Sequence, residues 1–149
     1  MKYKYLLLIG FFTVCLYSCK KETPAPGNGA LIVGKWYSVK LVSVLYQNNK
    51  EISTFTQTNF TNDDFIEYYN DGSGYYSKST NQGPSLSEFT YTISGSTLTQ
   101  FTGVENSGIP ETIKSVTSTG LSVHVVQSVS DPNDPTVTDT EIDDLTYSK

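Results

Sequence analysis

From Gly34 onward, apolar and polar residues alternate along short segments that are rich in Thr, Ser, Val, Tyr and Phe. A period of two places every second side chain on the same face of an extended strand, and β-branched and aromatic residues favour that conformation. Turn-forming residues interrupt the pattern at intervals of roughly ten residues. The pattern predicts eight strands, over residues 34–46, 64–70, 74–80, 87–94, 96–103, 110–118, 121–129 and 139–148.

Most links between these strands are short and contain glycine, as in "NDGSG" at residues 70–74 and "STG" at residues 118–120. Short links join neighbouring antiparallel strands. A meander of eight strands either closes into an up-and-down barrel or splits into a sandwich, and closure removes the exposed edges. The sequence therefore predicts an all-β fold, an eight-stranded antiparallel up-and-down barrel over residues 31–149.

The start of the chain has a different pattern. Lys2 and Lys4 form a basic segment, and an apolar run of eleven residues follows, from Leu6 to Leu16. This is the layout of a secretory signal peptide. Because a helix needs about 20 apolar residues to cross a bilayer, the run is too short to remain as a transmembrane span. We expect residues 1–18 to be removed.

The end of this run, Leu16-Tyr17-Ser18-Cys19, resembles the lipobox of bacterial lipoproteins, in which the peptide is cut before the cysteine and the cysteine is acylated. The resemblance implies that Cys19 is lipidated and that the membrane is a partner through N-terminal acyl chains, since two or three chains anchor a protein stably. Two alternatives remain. One is a plain signal peptide that contains two cysteines, and the other is a metal or redox pair of Cys15 and Cys19, which would lose Cys15 with the peptide.

The residues after Cys19 predict a tether. "TPAPGNG", at residues 23–29, is rich in Pro and Gly and is predicted to join neither a helix nor a central strand, so residues 19–30 form a lipidated, flexible segment. Lys20-Lys21-Glu22 resembles in part the export tag of lipoproteins in Bacteroidota-type bacteria. The resemblance implies an outer-membrane lipoprotein of the cell envelope, with the periplasmic and the surface-facing side both open.

Charge narrows the range of partners. The chain has fifteen acidic residues against ten basic ones, and all ten are lysine. Without arginine there is no bidentate phosphate clamp, and the acidic balance repels the nucleic-acid backbone. We therefore expect no nucleic-acid partner. The length suits one domain, which we expect to be a monomer.

Several segments resemble a known family. Gly34-Lys35-Trp36 matches the Gly-x-Trp signature of lipocalins, and "FIEYYNDGSGYY", "EFTYTISGSTLTQF", "IKSVTSTGLSVHV" and "LTYSK" follow in the order found in the bacterial lipocalin-like domain of small lipoproteins. The resemblance covers residues 32–149 and implies that Trp36 plugs the closed end of the barrel. No Thr-Asp-Tyr turn and no arginine over the tryptophan are present. We expect Lys149 to take the place of that arginine by a cation–π contact.

The family pattern and the strand alternation together predict an inner face. An eight-stranded barrel is either filled by side chains or holds one small ligand, so this set is either core or pocket. A pocket predicts a small apolar or amphipathic ligand in the barrel. A filled core predicts a non-enzymatic accessory or interaction protein that acts through its surface loops. The predicted inner-face residues are Ile66, Tyr68, Tyr91, Ile93, Leu98, Ile113, Val116, Leu121, Val123, Val125, Leu145 and Tyr147.

The longest connection is predicted over residues 47–63, where lipocalins carry a loop that folds over the open mouth. Ile52, Phe55 and Phe60 are candidates to close that mouth. Long loops are uncommon unless they are functional or disordered. The alternative is a surface loop with incidental apolar residues.

Catalytic, metal and cofactor sites are not predicted. The single histidine, His124, alternates with Val123 and Val125 and so points away from the core. Adjacent acids such as Asp143 and Asp144 point to opposite faces of a strand and share no proton. The acidic segment 130–144 lacks the spacing of a calcium-binding EF-hand, and a solvated loop is the alternative. We expect no enzyme, no metal and no cofactor.

Overall fold

A computed structural model describes residues 27–103, 108–130 and 138–149. These residues form one short helix and nine strands. The elements, in chain order, are α1 (Asn28–Ile32), β1 (Gly34–Gln47), β2 (Lys50–Gln57), β3 (Phe65–Tyr68), β4 (Ser73–Thr80), β5 (Gly83–Ser94), β6 (Thr97–Phe101), β7 (Ile109–Val116), β8 (Gly120–Ser130) and β9 (Thr138–Ser148).

The strands form one antiparallel sheet that closes on itself. From β3 to β9 each strand pairs with the next, β3 also pairs with β1, and β9 pairs with β1 on its other side. The result is a closed up-and-down barrel of eight strands, with β2 as one additional strand. The predicted fold class is confirmed, and all eight predicted strands are present with small differences at their ends.

The prediction of a loop over residues 47–63 is wrong for the first part of this segment, because Lys50–Gln57 form the strand β2. Asn48 and Asn49 adopt positive φ angles of 52° and 62°, a conformation that suits a tight hairpin turn. β3 pairs with residues 34–37 of β1, and β2 pairs with residues 41–47 of the same strand. β2 and β3 thus lie one after the other beside β1, separated by the segment 58–64.

One end of the barrel is closed by apolar side chains and by the helix α1. Trp36 is fully buried, and its indole nitrogen donates a hydrogen bond to the carbonyl of Ile32, the last residue of α1. Asn28, at the start of α1, donates a hydrogen bond from its side chain to the carbonyl of Gly95 at 3.0 Å. The predicted tether is therefore wrong at its end, because Asn28 and Gly29 belong to a helix that packs on the barrel.

An irregularity in β1 changes which residues face inward. The register with β9 shifts between Ser38 and Lys40, so that Trp36 and Leu41 both face the interior although their numbers differ in parity. All twelve predicted inner-face residues belong to the core cluster or pack against it. The prediction missed Ile32 of α1 and Phe89 of β5, which are also buried in that cluster.

Candidate functional site: a cavity in the barrel interior

A cavity of about 280 Å³ reaches into the barrel interior and opens to solvent beside the exposed side chains of Tyr76 and Lys78. It forms where the sheet is incomplete: β4 pairs with the short strand β3, and within the described residues β2 has no partner strand other than β1. The walls are formed by apolar, aromatic and polar side chains together. The lining residues are Ser38, Leu41, Gln57, Phe60, Asp64, Phe65, Ile66, Tyr76, Ser77, Lys78, Gln100, Glu111, Leu145 and Tyr147.

Glu111 is the central polar residue of this cavity. On β7 it lies opposite Leu98 of β6 and Val125 of β8, and because both neighbours are buried, its side chain shares their inward face. The Gln100 side-chain nitrogen donates a hydrogen bond to Glu111 Oε2 at 3.4 Å and another to the hydroxyl of Tyr68 at 3.0 Å. Gln100 thus links the carboxylate to the aromatic core.

Burial controls the ionisation of these groups. Loss of hydration raises the pKa of Glu111 to about 7, although the hydrogen bond from Gln100 acts in the opposite direction. Burial also raises the pKa of the Tyr68 and Tyr147 hydroxyls, and the nearby Glu111 carboxylate raises both further. At neutral pH, Glu111 is therefore poised between its two charge states, while both tyrosines are neutral.

The second carboxylate of the cavity wall, Asp64, has a structural role. Its oxygens accept hydrogen bonds from the Thr61 backbone nitrogen at 2.7 Å, the Thr61 hydroxyl at 2.9 Å and the Ser79 backbone nitrogen at 2.9 Å. Burial acts to raise the pKa of Asp64, but these hydrogen bonds outweigh it and the net shift is downward. Asp64 thus fastens the segment 58–64 to β4, and its charge is satisfied.

More acids lie on the inner face beyond the cavity. Ser43 donates a hydrogen bond to Glu141 Oε1 at 2.8 Å, and Gln127 donates to Glu141 Oε2 at 3.1 Å. Asp143 lies opposite Val125 on the same face, and burial raises its pKa. Within the described ranges, no group of three His, Cys, Asp or Glu side chains is arranged to hold a metal ion.

Two residues that strand alternation predicts to point outward, His124 and Asp144, contact each other on the outer face of the barrel. His124 Nδ1 lies 2.8 Å from Asp144 Oδ1 on neighbouring strands β8 and β9. Asp144 therefore faces away from Asp143, as the strand alternation predicts. This histidine is the single one of the chain, so no imidazole faces the cavity.

The predicted ligand-binding or core residues divide into two groups. Ile66 and Tyr147 line the cavity, and Tyr68 reaches its wall through the hydrogen bond from Gln100. The remaining residues pack in the core below or beside it: Tyr91, Ile93, Leu98, Ile113, Val123 and Val125. Gln100 and Glu111 were missed, although their alternation with Leu98 and Ile113 places them on the inner face.

The candidates for closing the mouth are only partly right. Phe60 lines the cavity and is partly buried. Ile52 and Phe55, however, lie on β2 with half or more of their surface exposed. The expectation that they close the mouth is wrong, because neither residue lines the cavity, which β2 reaches through Gln57 at its end.

At the closed end, Lys149 Nζ lies 4.3 Å from the centre of the Trp36 ring and donates a hydrogen bond to the Val33 carbonyl at 3.0 Å. This is the cation–π contact that the sequence predicts. Gly34 has a φ of +118°, and a β-carbon there would lie 3.4 Å from the Lys149 side chain. Cys19, the predicted lipidation site, lies outside the described residues.

A scan against protein-family models and a search of curated proteins find no match for this chain. In the part of the chain that the structure describes, no helix has the length and apolar character to cross a membrane.

Proposed function

We propose that this protein is a lipid-anchored lipoprotein of the cell envelope whose lipocalin-like barrel binds a small amphipathic molecule. The observation that carries the proposal is the interior cavity of about 280 Å³. Its apolar wall, which includes Leu41, Ile66 and Leu145, faces the polar pair Gln100 and Glu111. Ligand sites typically combine such an apolar lining with a few convergent polar groups.

The size of the cavity limits the ligand. Cavities for drug-sized molecules usually measure roughly 300–1,000 Å³, so this one, at about 280 Å³, lies just below the range. Trp36, Tyr68 and Leu98 are fully buried below it and fill the closed half of the barrel. A long acyl chain would find no room there. We therefore favour a compact ligand with one polar end.

The proposed activity is binding without catalysis. Nucleophilic or acid–base catalysis needs an activated group with a partner in hydrogen-bonding reach. Glu111 has Gln100 as its hydrogen-bond partner, and Asp64 is held by backbone and hydroxyl donors. Neither arrangement supplies a nucleophile with a base.

The alternative is an accessory protein that acts through its outer surface. The filled lower half of the barrel favours it, and so does β2, whose Ile52 and Phe55 are exposed. The two functions differ in whether the cavity is occupied. A binding function places a ligand in it, and a surface role leaves it without one.

Native mass spectrometry of the protein, gently extracted from its own cells, separates these functions. We expect an added mass that is lost when the cavity is filled by Leu41→Trp. Leu86→Trp is the matched control, because Leu86 is exposed on β5 and its replacement leaves the cavity open. Unmodified mass in the gently extracted wild-type protein would contradict ligand binding and favour the surface role.

The anchor is tested separately. The "LYSC" segment that ends at Cys19 supports lipidation, and Cys19→Ala removes the acyl acceptor. We expect this variant to move from the membrane fraction to the soluble fraction, with Cys15→Ala as the control that stays in the membrane. Membrane retention of Cys19→Ala would contradict the lipid anchor.

A further inference from the structure

Glu111 is the least compensated charged group in the cavity wall. The wall contains three charged residues, Asp64, Lys78 and Glu111. Asp64 accepts three hydrogen bonds, and Lys78 is exposed to solvent. The hydrogen bond from Gln100 to Glu111 is long, at 3.4 Å. A partly buried carboxylate with such weak compensation gains most from a cationic partner, because its charge has lost part of its hydration.

The surroundings of Glu111 suit a cation with an apolar body. Tyr76 and Tyr147 line the same cavity and can present aromatic faces, which attract ammonium groups. Leu41 and Leu145 supply apolar surface at the side of β1 and β9. One space therefore combines a carboxylate, aromatic rings and aliphatic wall.

We propose that the cavity selects small organic cations, with a primary ammonium group paired to the Glu111 carboxylate and an alkyl or aryl body against Leu41 and Leu145. This inference rests on the proposed ligand-binding function and specifies its ligand class. Lys78 lies at the exposed edge of the cavity and, with its positive charge, would favour an anionic ligand instead. The experiment must therefore compare a cation, a neutral molecule and an anion of similar shape.

The test is calorimetric titration of the full chain at pH 8 with 2-phenylethylamine, 2-phenylethanol and 3-phenylpropionate. We expect the amine to bind about tenfold more tightly than the alcohol, because a charge-assisted hydrogen bond forms in a site of low polarity. In Glu111→Gln we expect this preference to disappear while the affinity for the alcohol is kept. Glu88→Gln, at an exposed carboxylate of β5, is the matched control and keeps the preference.

A second measurement uses the wild-type protein alone. From pH 6 to pH 8 we expect the affinity for the amine to rise about tenfold, because Glu111 loses its proton while the ammonium keeps its charge. The affinity for the alcohol should not rise. Glu111→Gln separates the contribution of Glu111 from those of its titratable neighbours, which are Tyr68 on β3, Lys78 on β4, Tyr147 and Asp143 on β9, and Asp64 before β3.

The outcomes distinguish the two proposals. If the alcohol binds and the amine shows no preference, or if 3-phenylpropionate binds most tightly, the cation proposal is overturned and ligand binding stands. If none of the three binds, the cation proposal is overturned, and the native mass spectrum of the gently extracted protein decides whether ligand binding stands. If Glu111→Gln fails to fold by circular dichroism, the wild-type pH dependence decides, and an amine affinity that does not rise overturns the cation proposal.

Discussion

The two halves of the barrel interior differ in what they bury. The closed half contains Trp36, Tyr68 and Leu98, all fully buried, and Tyr68 makes edge-to-face contacts with Phe89 and Tyr91 at ring-centre distances of 5.5 and 5.0 Å. The open half has polar side chains on the same inner face. There the sheet is also less complete, because β2 pairs with β1 alone among the described strands.

The difference shows how one barrel can separate stability from binding. Apolar side chains in the closed half stabilise the fold by about 25 cal/mol for each Å² removed from water. The Glu111 carboxylate in the open half opposes folding, because it loses hydration and gains only one long hydrogen bond. A ligand that supplies the missing partner would recover part of that loss.

The largest expected effect comes from a cavity in the closed half. Leu98→Ala should lower the free energy of unfolding by about 3 kcal/mol, because Leu98 is 0% exposed and the deleted atoms leave a void. Leu86→Ala is the matched control at 63% exposure and should change it by less than about 0.5 kcal/mol. Urea denaturation measures both. Equal losses at the two positions would contradict the assignment of the core.

The open half should respond to pH. The pKa of Glu111 is raised from its ordinary value of 4.5 to about 7, so folding favours the protonated form. Its contribution to stability is fully present below pH 4.5 and is lost as the pH rises through 7, by up to about 3 kcal/mol. Glu111→Gln should remove this dependence and be the more stable protein at pH 8. Denaturant titrations at pH 5 and pH 8 measure the free energy of unfolding. An equal decrease between these pH values in the wild type and in Glu111→Gln would contradict the prediction.

A buried glycine tests how closely the strands pack around the core. A β-carbon on Gly74 would collide with the Glu67 carbonyl and the Phe89 ring. Gly74→Ala should therefore cost about 1–3 kcal/mol of unfolding free energy. Gly29→Ala, where a β-carbon meets open space in α1, should be neutral or stabilising by up to about 1 kcal/mol. Thermal unfolding that ranks the two variants in the reverse order would refute the packing described.

The smallest expected effect concerns the contact over Trp36. Lys149→Met keeps most of the aliphatic stem but removes the cation above the ring and the donor to the Val33 carbonyl. We expect a loss of about 1 kcal/mol in urea denaturation. Lys114→Met, at an exposed position on β7, is the control and should have little effect. A loss of the same size in both variants would show that the contact contributes nothing specific.

Much of the barrel was predictable because its strands have one apolar and one polar face. The strand β2 was not, because Ile52 and Phe55 are exposed and no buried face imposes alternation on Lys50–Gln57. The available signal was the turn, since asparagine is one of the few residues that adopt positive φ, as Asn48 and Asn49 do.

The candidate site was harder to predict than the fold. A search for apolar residues finds Leu98 and Ile113, but Gln100 and Glu111 share their inward face and are polar. Strand alternation alone places all four inside. The cavity itself depends on where β2 and β3 separate along β1, and no local pattern encodes that separation.

The pairing of β1 with β9 has a consequence for the order of folding. The partners, such as Tyr37 and Ser148, are separated by nearly the whole domain, so joining them closes a very long loop and is slow compared with forming the hairpins between β4 and β9. Until that step, β1 and β9 each present an unpaired edge to which another chain can bind. The half-formed barrel is thus the species most exposed to aggregation, and crowding of newly made chains would favour mispairing between copies at this seam.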